Sequence, residues 1–175
     1  MTMTMVTGAS GGIGSAVVRR LRYRGDDVIA LGRDAEKLKQ LDARPVVVDL
    51  TSPATIAPAI EALDLGELDV LVHCAGVIEL GPVADAPYEV WTEHLMVNLV
   101  APAEVTRACL PALRRATGHV IFLNFHSGHS GTPGWAAYAA SKYGLRALAD
   151  TLREEEDRHG VGVTSVFPAC TATPM

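Results

Sequence analysis

The sequence predicts a three-layer α/β fold, in which helices cover both faces of one doubly wound parallel sheet. The first observation is that short apolar runs alternate with helical stretches along the whole chain. The second is that these runs are rich in Val, Ile and Leu and show little polar alternation, as is typical of strands buried on both faces. The third is the length of 175 residues, which favours a single domain.

Six apolar runs predict six strands: Thr4–Thr7, Val28–Leu31, Val46–Val48, Val70–His73, Val120–Leu123 and Val161–Phe167. Apolar residues at helical spacing mark the first helix and the last long helix: Ile13, Val17 and Leu21, then Leu145, Leu148 and Leu152. Repeated strand–helix–strand units connect parallel strands by right-handed crossovers. We therefore expect the strand order 3-2-1-4-5-6.

Charge and composition exclude several kinds of partner. The net charge of −5 argues against nucleic acid or an anionic membrane. No apolar run approaches the ~18 residues that span a bilayer, and the N-terminus lacks the features of a signal peptide. Three cysteines without a CxxC pair indicate a reducing compartment. We therefore expect a cytoplasmic protein. We expect no metal site, because His126 and His129 have no evident further ligand.

A glycine-rich turn, Thr7–Gly14, follows the first strand. Gly8 allows a tight turn, Gly12 allows the backbone to approach a phosphate, and Gly14 allows the helix to pack close to the sheet. The helix N-terminus then offers free N–H groups and a partial positive charge to a pyrophosphate. A turn without a ligand is the alternative, which the strand before it and the helix after it disfavour.

The end of the second strand bears on the choice of cofactor. An acidic residue at this position binds the ribose 2′-hydroxyl of NAD, but Gly32 stands there and Arg33 follows. Arginine pairs with a 2′-phosphate, so NADP is favoured, although Arg33 is alternatively a surface residue at a helix start. Asp34 keeps NAD possible. Asp49, after the third strand, either accepts a hydrogen bond from an adenine amino group or caps the next turn.

Tyr138 and Lys142 are four residues apart at the start of a predicted long helix, so both side chains lie on one face. A phenol with a pKa near ~10 transfers protons poorly at neutral pH. A nearby ammonium stabilises the phenolate and lowers this pKa. The pair is therefore a candidate general acid/base for a carbonyl or an alcohol.

Taken together, these motifs resemble the short-chain dehydrogenase/reductase family. The matches are Thr7–Gly14, Ala75-Gly76, Asn98, Tyr138-x-x-x-Lys142 and the segment 168–173, and they occur in the family's order along essentially the whole chain. The resemblance implies a Rossmann fold that binds NADP, with NAD as the alternative. It also implies hydride transfer between the nicotinamide and a small molecule, either a ketone or aldehyde or a secondary alcohol.

The resemblance also implies residue roles. Tyr138 would be the acid/base, Lys142 would bind the nicotinamide ribose and lower the tyrosine pKa, and Asn98 would help hold a relay water. The implied cofactor-binding residues are Gly8, Ser10, Gly12, Ile13, Gly14, Arg33, Asp49, Leu50, Ala75, Gly76, Tyr138, Lys142, Pro168, Thr171 and Thr173. A homodimer or homotetramer through the two long helices is implied as well, with Leu110 and Leu113 as candidates for its face.

One feature of the chain itself supports the role of Asn98. Pro102, four residues later in a helical stretch, has no N–H, so the Asn98 carbonyl is available to accept a hydrogen bond from a water. The alternative is a proline kink packed against its neighbours.

The sequence departs from the family at the catalytic serine. The expected position holds Phe125, so we expect Ser127 to take the role, with Ser130 as the second candidate. Losing this hydrogen-bond donor to a developing oxyanion would cost ~10²–10³ in rate. Ala169 adds a methyl group where the family usually has glycine. The alternative function is therefore a non-catalytic or weakly active dinucleotide-binding or sensor protein.

The length also bears on domain organisation. The chain ends at Met175, where a substrate-covering segment and a further strand would follow in the family. The strand Val161–Phe167 is then left as a sheet edge, which exposes unpaired backbone groups unless something covers it. We therefore expect residues 1–175 to form one dinucleotide-binding domain that lacks a C-terminal part.

Overall fold

The computed structural model describes residues 1–125, 131–169 and 171. The strands are β1 (Met3–Thr7), β2 (Asp27–Gly32), β3 (Arg44–Val47), β4 (Val70–His73), β5 (His119–Leu123) and β6 (Gly162–Val166). The helices are α1 (Gly12–Tyr23), α2 (Ala35–Lys39), α3 (Ile56–Glu61), α4 (Tyr88–Leu95), α5 (Ala101–Ala116) and α6 (Ala136–Glu156). A π-helical turn, Met96–Val100, joins α4 to α5. Within these ranges, every helix is too short or too polar to cross a bilayer.

The six strands form one parallel sheet in the order β3-β2-β1-β4-β5-β6, as predicted. Thr4 of β1 lies opposite Val28 of β2 on one side and Val70 of β4 on the other. The strand order therefore reverses at β1, between β2 and β4. In a doubly wound sheet this reversal opens a crevice at the carboxyl ends of the strands, where ligands bind.

All six predicted strands are present, and their ends differ from the prediction by at most two residues. The largest shift is in β3, which begins at Arg44 instead of Val46 and therefore includes Pro45. Proline cannot donate to a neighbouring strand, but β3 is at the sheet edge, where this is tolerated. At the opposite edge, β6 spans Gly162–Val166, within the predicted run 161–167.

Two hydrophobic clusters lie on the two faces of the sheet. The larger cluster packs helices α3, α5 and α6 against side chains such as Met5, Leu71 and Phe122. The smaller cluster packs α1 and α2 against Val6 and Ala30. Of the predicted helical stripes, Leu145 and Leu152 are buried, whereas Val17 and Leu21 pack partly buried beside the fully buried Val18.

The prediction that all strands are buried on both faces is correct for β1 and β2 but wrong for the edge strand β3 and for β5 and β6. In β5, Val120 and Phe122 are buried while Ile121 and Leu123 are only partly buried. In β6, Val166 is 40% exposed. On the side of the sheet that carries Ile121 and Val166, the described helices α1 and α2 pack mainly against β1, β2 and β3, so β5 and β6 are less well covered.

The suggestion that Leu113 lines an oligomer face is also wrong. Leu113 is fully buried inside the larger cluster, and Leu110 packs partly buried against the same cluster. Their helical spacing places these two apolar residues on one face of α5, but that face packs into the domain. Helix α5 is tied to α6 by Arg114, whose guanidinium donates to the buried Glu156 carboxylate at 2.8 and 2.6 Å.

Candidate functional site

A cleft of about 960 Å³ opens at the carboxyl ends of the strands. It brings together nearly all of the predicted cofactor-binding residues: Gly8, Ser10, Gly12, Ile13, Gly14, Arg33, Asp49, Leu50, Ala75, Gly76, Tyr138, Lys142, Pro168 and Thr171. The candidate residues Ser127, Ser130 and Thr173 lie outside the described residues, as do His126, His129 and Cys170. The size and shape of the cleft suit a dinucleotide, because ligand pockets of this kind enclose ~300–1,000 Å³.

The turn after β1 is built on two close backbone contacts that only glycine allows. Gly8 has a φ of +63°, and a Cβ there would lie 2.6 Å from the backbone of Ala75. A Cβ on Gly14 would overlap the carbonyl oxygen of Gly8. The first contact holds the turn against the segment after β4, and the second holds α1 against the turn. These contacts agree with the need for glycine at positions 8 and 14, and the role of both residues in cofactor binding stays a prediction.

The N-terminus of α1 is free to bind an anion. Gly12, Ile13 and Gly14 form its first turn and line the cleft. In the described part of the chain no side chain caps this end, and the first turn contains no acidic residue. The unpaired N–H groups and the positive end of the helix dipole are thus left to a ligand.

At the end of β2, two cationic side chains line the cleft. Gly32 is the last residue of the strand, and a Cβ there would meet the Ser10 hydroxyl at 3.4 Å. Exposed Arg33 and Lys37 line the same region. Lys37 was not predicted from the sequence, although its position one helical turn after Arg33 was a usable indication.

Asp34, the residue that kept NAD possible, caps helix α2. Its carboxylate accepts the Lys37 N–H at 3.0 Å and lies 3.4 Å from the Lys37 ammonium. The backbone hydrogen bond from Lys37 is the main cause that lowers the Asp34 pKa. This carboxylate is therefore engaged by its own helix.

Asp49 adopts the capping alternative. Its Oδ1 accepts hydrogen bonds from the Thr51 N–H at 2.9 Å and from the Thr51 hydroxyl at 2.8 Å. These bonds, with the nearby positive charge of Arg33, lower the Asp49 pKa. Asp49 also lines the cleft, so that capping fixes the orientation of a carboxylate at its wall.

Tyr138 and Lys142 lie in the first two turns of α6 and are 3% and 4% exposed. The Lys142 Nζ lies 5.7 Å from the centre of the Tyr138 ring and donates to the Leu123 carbonyl at 3.0 Å. Burial raises the pKa of Tyr138 to about 12 and lowers that of Lys142 to about 8. The expected lowering of the tyrosine pKa by Lys142 is therefore absent from this structure, because burial of the phenol dominates.

Asn98 lies in the π-helical turn and holds two segments together through its side chain. Its Oδ1 accepts from the Val77 N–H at 2.8 Å, and its Nδ2 donates to the Val77 carbonyl at 3.0 Å. Nδ2 also donates to the Ser141 hydroxyl at 3.0 Å, which in turn donates to the Tyr138 carbonyl at 2.7 Å. Ser141 was not predicted from the sequence, because no motif distinguishes it from the neighbouring small residues.

The backbone near Pro102 differs from the regular helix on which the prediction for the Asn98 carbonyl was based. Ala101 donates its N–H to the Met96 carbonyl, five residues back, as in a π-helix. Such turns occur frequently at functional sites. Whether the Asn98 carbonyl accepts a hydrogen bond from a water stays a prediction.

Aromatic side chains surround Tyr138. Phe125 and Trp135 stack with their ring centres 5.8 Å apart and their planes at 4°. Each packs edge-on against Tyr138, at 5.9 and 6.0 Å. On another side, the buried ring of His94 lies 6.2 Å away. At position 125 the structure therefore places a ring, and no hydroxyl, beside Tyr138.

Two further residues line the cleft. Cys74 lies near Lys142, and burial raises the thiol pKa to about 12. Ala169, which stands where the family usually has glycine, is the other.

Comparisons with known proteins agree with this geometry. Residues 2–175 match the sequence model of the short chain dehydrogenase family. The chain is 32% identical over 182 residues to an uncharacterised oxidoreductase of Staphylococcus epidermidis, covering 99% of this chain and 79% of the relative. It is also 32% identical over 191 residues to the Bos taurus dehydrogenase/reductase SDR family member 7B, covering 99% of this chain and 59% of that protein.

Solved structures agree as well. An actinorhodin polyketide ketoreductase solved with NADPH superposes with a TM-score of 0.92 at 31% identity, covering 99% of this chain and 72% of the other. A metagenomic short-chain oxidoreductase in complex with NADP superposes with a TM-score of 0.90 at 35% identity, covering 97% of this chain and 83% of the other. The chain therefore has the expected Rossmann fold and belongs to the short-chain dehydrogenase/reductase family of oxidoreductases.

Proposed function

We propose that this chain is an NADP(H)-dependent reductase of ketones or aldehydes, in which Tyr138 donates the proton. The observation that carries the proposal is the composition of the cleft. One end of the cleft is lined by the uncapped N-terminus of α1 together with Arg33 and Lys37. The other end is lined by the buried pair Tyr138 and Lys142. Relatives solved with NADPH or NADP bound support the choice of cofactor.

The described residues fit such a cofactor. Gly12, Ile13 and Gly14 would hold the pyrophosphate at the positive end of α1. Arg33 and Lys37 would pair with a 2′-phosphate, and the absence of a side chain at Gly32 removes the acid that favours NAD. Bound NADP(H) supplies or accepts the hydride.

Tyr138 is suited to donate a proton at neutral pH. Burial raises its pKa to about 12, so that the phenol keeps its proton until a carbonyl oxygen develops negative charge. Carbonyl reduction uses this protonated form of Tyr138, whereas alcohol oxidation uses the phenolate. Lys142, anchored on the Leu123 carbonyl, holds a positive charge beside the ring below about pH 8.

A second hydroxyl near the reacting oxygen would stabilise the developing charge. We assign this role to Ser127, with Ser130 as the alternative, because position 125 is occupied by phenylalanine. Comparing Ser127→Ala with Ser130→Ala separates them. The variant that lacks the true donor should lose ~10²–10³ in kcat, while the other stays close to wild type.

Cofactor binding is tested by thermal-shift titration with NADPH and NADH. A ligand at 100 times its Kd should add ~2.7 kcal/mol to the free energy of unfolding. We expect tighter binding of NADPH, and Arg33→Ala should weaken it by about tenfold or more because a charge-assisted bond is lost. Arg19→Ala, an exposed change on the same face of the sheet, is the control. No shift with either cofactor would overturn the proposal.

The second candidate function is binding or sensing of a dinucleotide without efficient turnover. It is favoured by the ring of Phe125 beside Tyr138 and by the methyl group of Ala169 in the cleft wall. NADPH consumption against a panel of ketones and aldehydes separates the two functions. A protein that binds NADPH but turns over no carbonyl would be the sensor.

Assembly and location belong to the proposal as well. We propose a homodimer or homotetramer in the cytoplasm. The free thiols of Cys74 and Cys109 suit a reducing compartment. Light scattering on the purified protein measures the assembly directly, and a monomer mass at micromolar concentration would contradict it.

A further inference from the structure

We propose that the substrate of this site is a planar, uncharged aryl ketone or aryl aldehyde, and that Phe125 and Trp135 determine this specificity. The inference rests on the proposed carbonyl reduction, because it concerns the substrate end of the same cleft. It names the chemical class that the described side chains would recognise.

The geometry of the aromatic pair is the first support. The rings of Phe125 and Trp135 are parallel within 4°, and each makes an edge-on contact with the Tyr138 ring. Both residues line the cleft and are partly exposed to it. A flat ring that extends one of these stacking surfaces would bring an attached carbonyl close to the Tyr138 phenol.

The chemistry of the neighbouring wall is the second support. Ile78 and Val97 line the cleft with aliphatic side chains and offer no hydrogen bonds to a hydroxylated substrate. Glu93, an exposed residue of α4, adds a carboxylate to the lining. The Lys142 ammonium, bonded to the Leu123 carbonyl, offsets this charge, so the aliphatic lining decides and the site favours a neutral and apolar molecule.

The physical basis is the preference of aromatic rings for offset-stacked and edge-to-face neighbours. Such a contact contributes free energy beyond that gained by burying apolar surface area. This extra contribution corresponds to a factor of about three to ten in affinity. Two stacking side chains therefore separate an aryl ketone from an aliphatic ketone of equal carbon number by about tenfold or more.

The first experiment compares kcat/KM for three ketones with NADPH. Acetophenone and 2-octanone have equal carbon numbers, and 4-acetylbenzoate adds a carboxylate to the aryl ketone. We expect acetophenone to exceed each of the other two by about tenfold or more. In Phe125→Leu and Trp135→Leu this preference should fall to within about threefold, because the apolar lining stays but the ring is lost.

Tyr88→Leu is the matched control, because it removes an aromatic ring from a residue that is 75% exposed and does not line the cleft. This variant should keep the wild-type preference. The inference would be overturned if kcat/KM for 2-octanone equalled that for acetophenone. It would equally be overturned by an aryl preference that persists in both cleft variants.

A binding measurement distinguishes failure of this inference from failure of the proposed function. Saturation-transfer NMR, in the presence of NADP⁺, measures binding of acetophenone without turnover. If no carbonyl is reduced, the proposed reductase is wrong. Binding of acetophenone that Phe125→Leu weakens would still support an aryl site, whereas equal binding of acetophenone and 2-octanone would overturn it.

Discussion

Tyr138 and Lys142 illustrate what happens at the scale of single residues. Their spacing places them on one helical face, and the structure buries both almost completely. Burial disfavours the charged form of each group, so the pKa of the phenol rises and that of the ammonium falls. The free protein therefore holds a protonated acid next to a lysine that titrates near pH 8.

The Lys142 pKa leads to a prediction about stability. The folded-state pKa of about 8 lies below the value of 10.5 expected for an unfolded chain. Between these values the unfolded state binds more protons, so the contribution of Lys142 to the free energy of unfolding increases with pH. Relative to Lys142→Met, the wild type should become more stable between pH 8 and 10 by chemical denaturation. Parallel curves for wild type and Lys142→Met would contradict the prediction.

Ser141 carries a second prediction at this scale. Its hydroxyl is fully buried, donates to the Tyr138 carbonyl and accepts from Asn98 Nδ2. Ser141→Ala leaves a buried donor and a buried acceptor without this partner, which should cost ~1–3 kcal/mol in the free energy of unfolding. Thr92→Ala removes a hydroxyl that bonds to helix carbonyls at an exposed site and should stay within ~0.5 kcal/mol. Equal losses in the two variants by urea denaturation would refute this role.

At the scale of elements, the glycine turn and α1 act as one unit. A Cβ on Gly14 would overlap the Gly8 carbonyl oxygen, whereas a Cβ on Gly66 would meet nothing within 4 Å. Gly14→Ala should therefore lower the free energy of unfolding by ~1–3 kcal/mol and weaken NADPH binding, because α1 must move away from the turn. Gly66→Ala should leave both quantities near the wild-type values. Thermal-shift titration of the two variants checks this, and wild-type binding in Gly14→Ala would contradict it.

The elements also show which features the sequence predicts. The glycine turn, the six strands and the Tyr138–Lys142 helix were predictable, because each depends on local spacing. The exposed side of β5 and β6 was not, because an apolar run looks the same whether helices cover one face or two. The π-helical turn and the burial of Leu113 depend on how α4, α5 and α6 pack, which no local pattern records.

At the scale of the whole molecule, one cleft joins groups that are far apart in sequence. The uncapped start of α1 and the cations after β2 come from the first 40 residues, and the proposed proton donor, Tyr138, comes from α6. The family's motif order predicted this convergence. Phe125 was evident from the sequence as the residue at the expected serine position, but its stacking with Trp135 and its contact with Tyr138 required the structure.

The central claim is that Tyr138 protonates a carbonyl that NADPH reduces, and the kinetics of Tyr138→Phe test it most directly. The decisive measurement is NADPH consumption with a reactive ketone or aldehyde in wild type, Tyr138→Phe and Tyr143→Phe, the last being a half-exposed phenol one turn along α6. We expect Tyr138→Phe to lose ~10²–10⁴ in kcat while still binding NADPH, because only the acid is removed. Tyr143→Phe should retain wild-type activity. An active wild type matched by Tyr138→Phe would contradict the account.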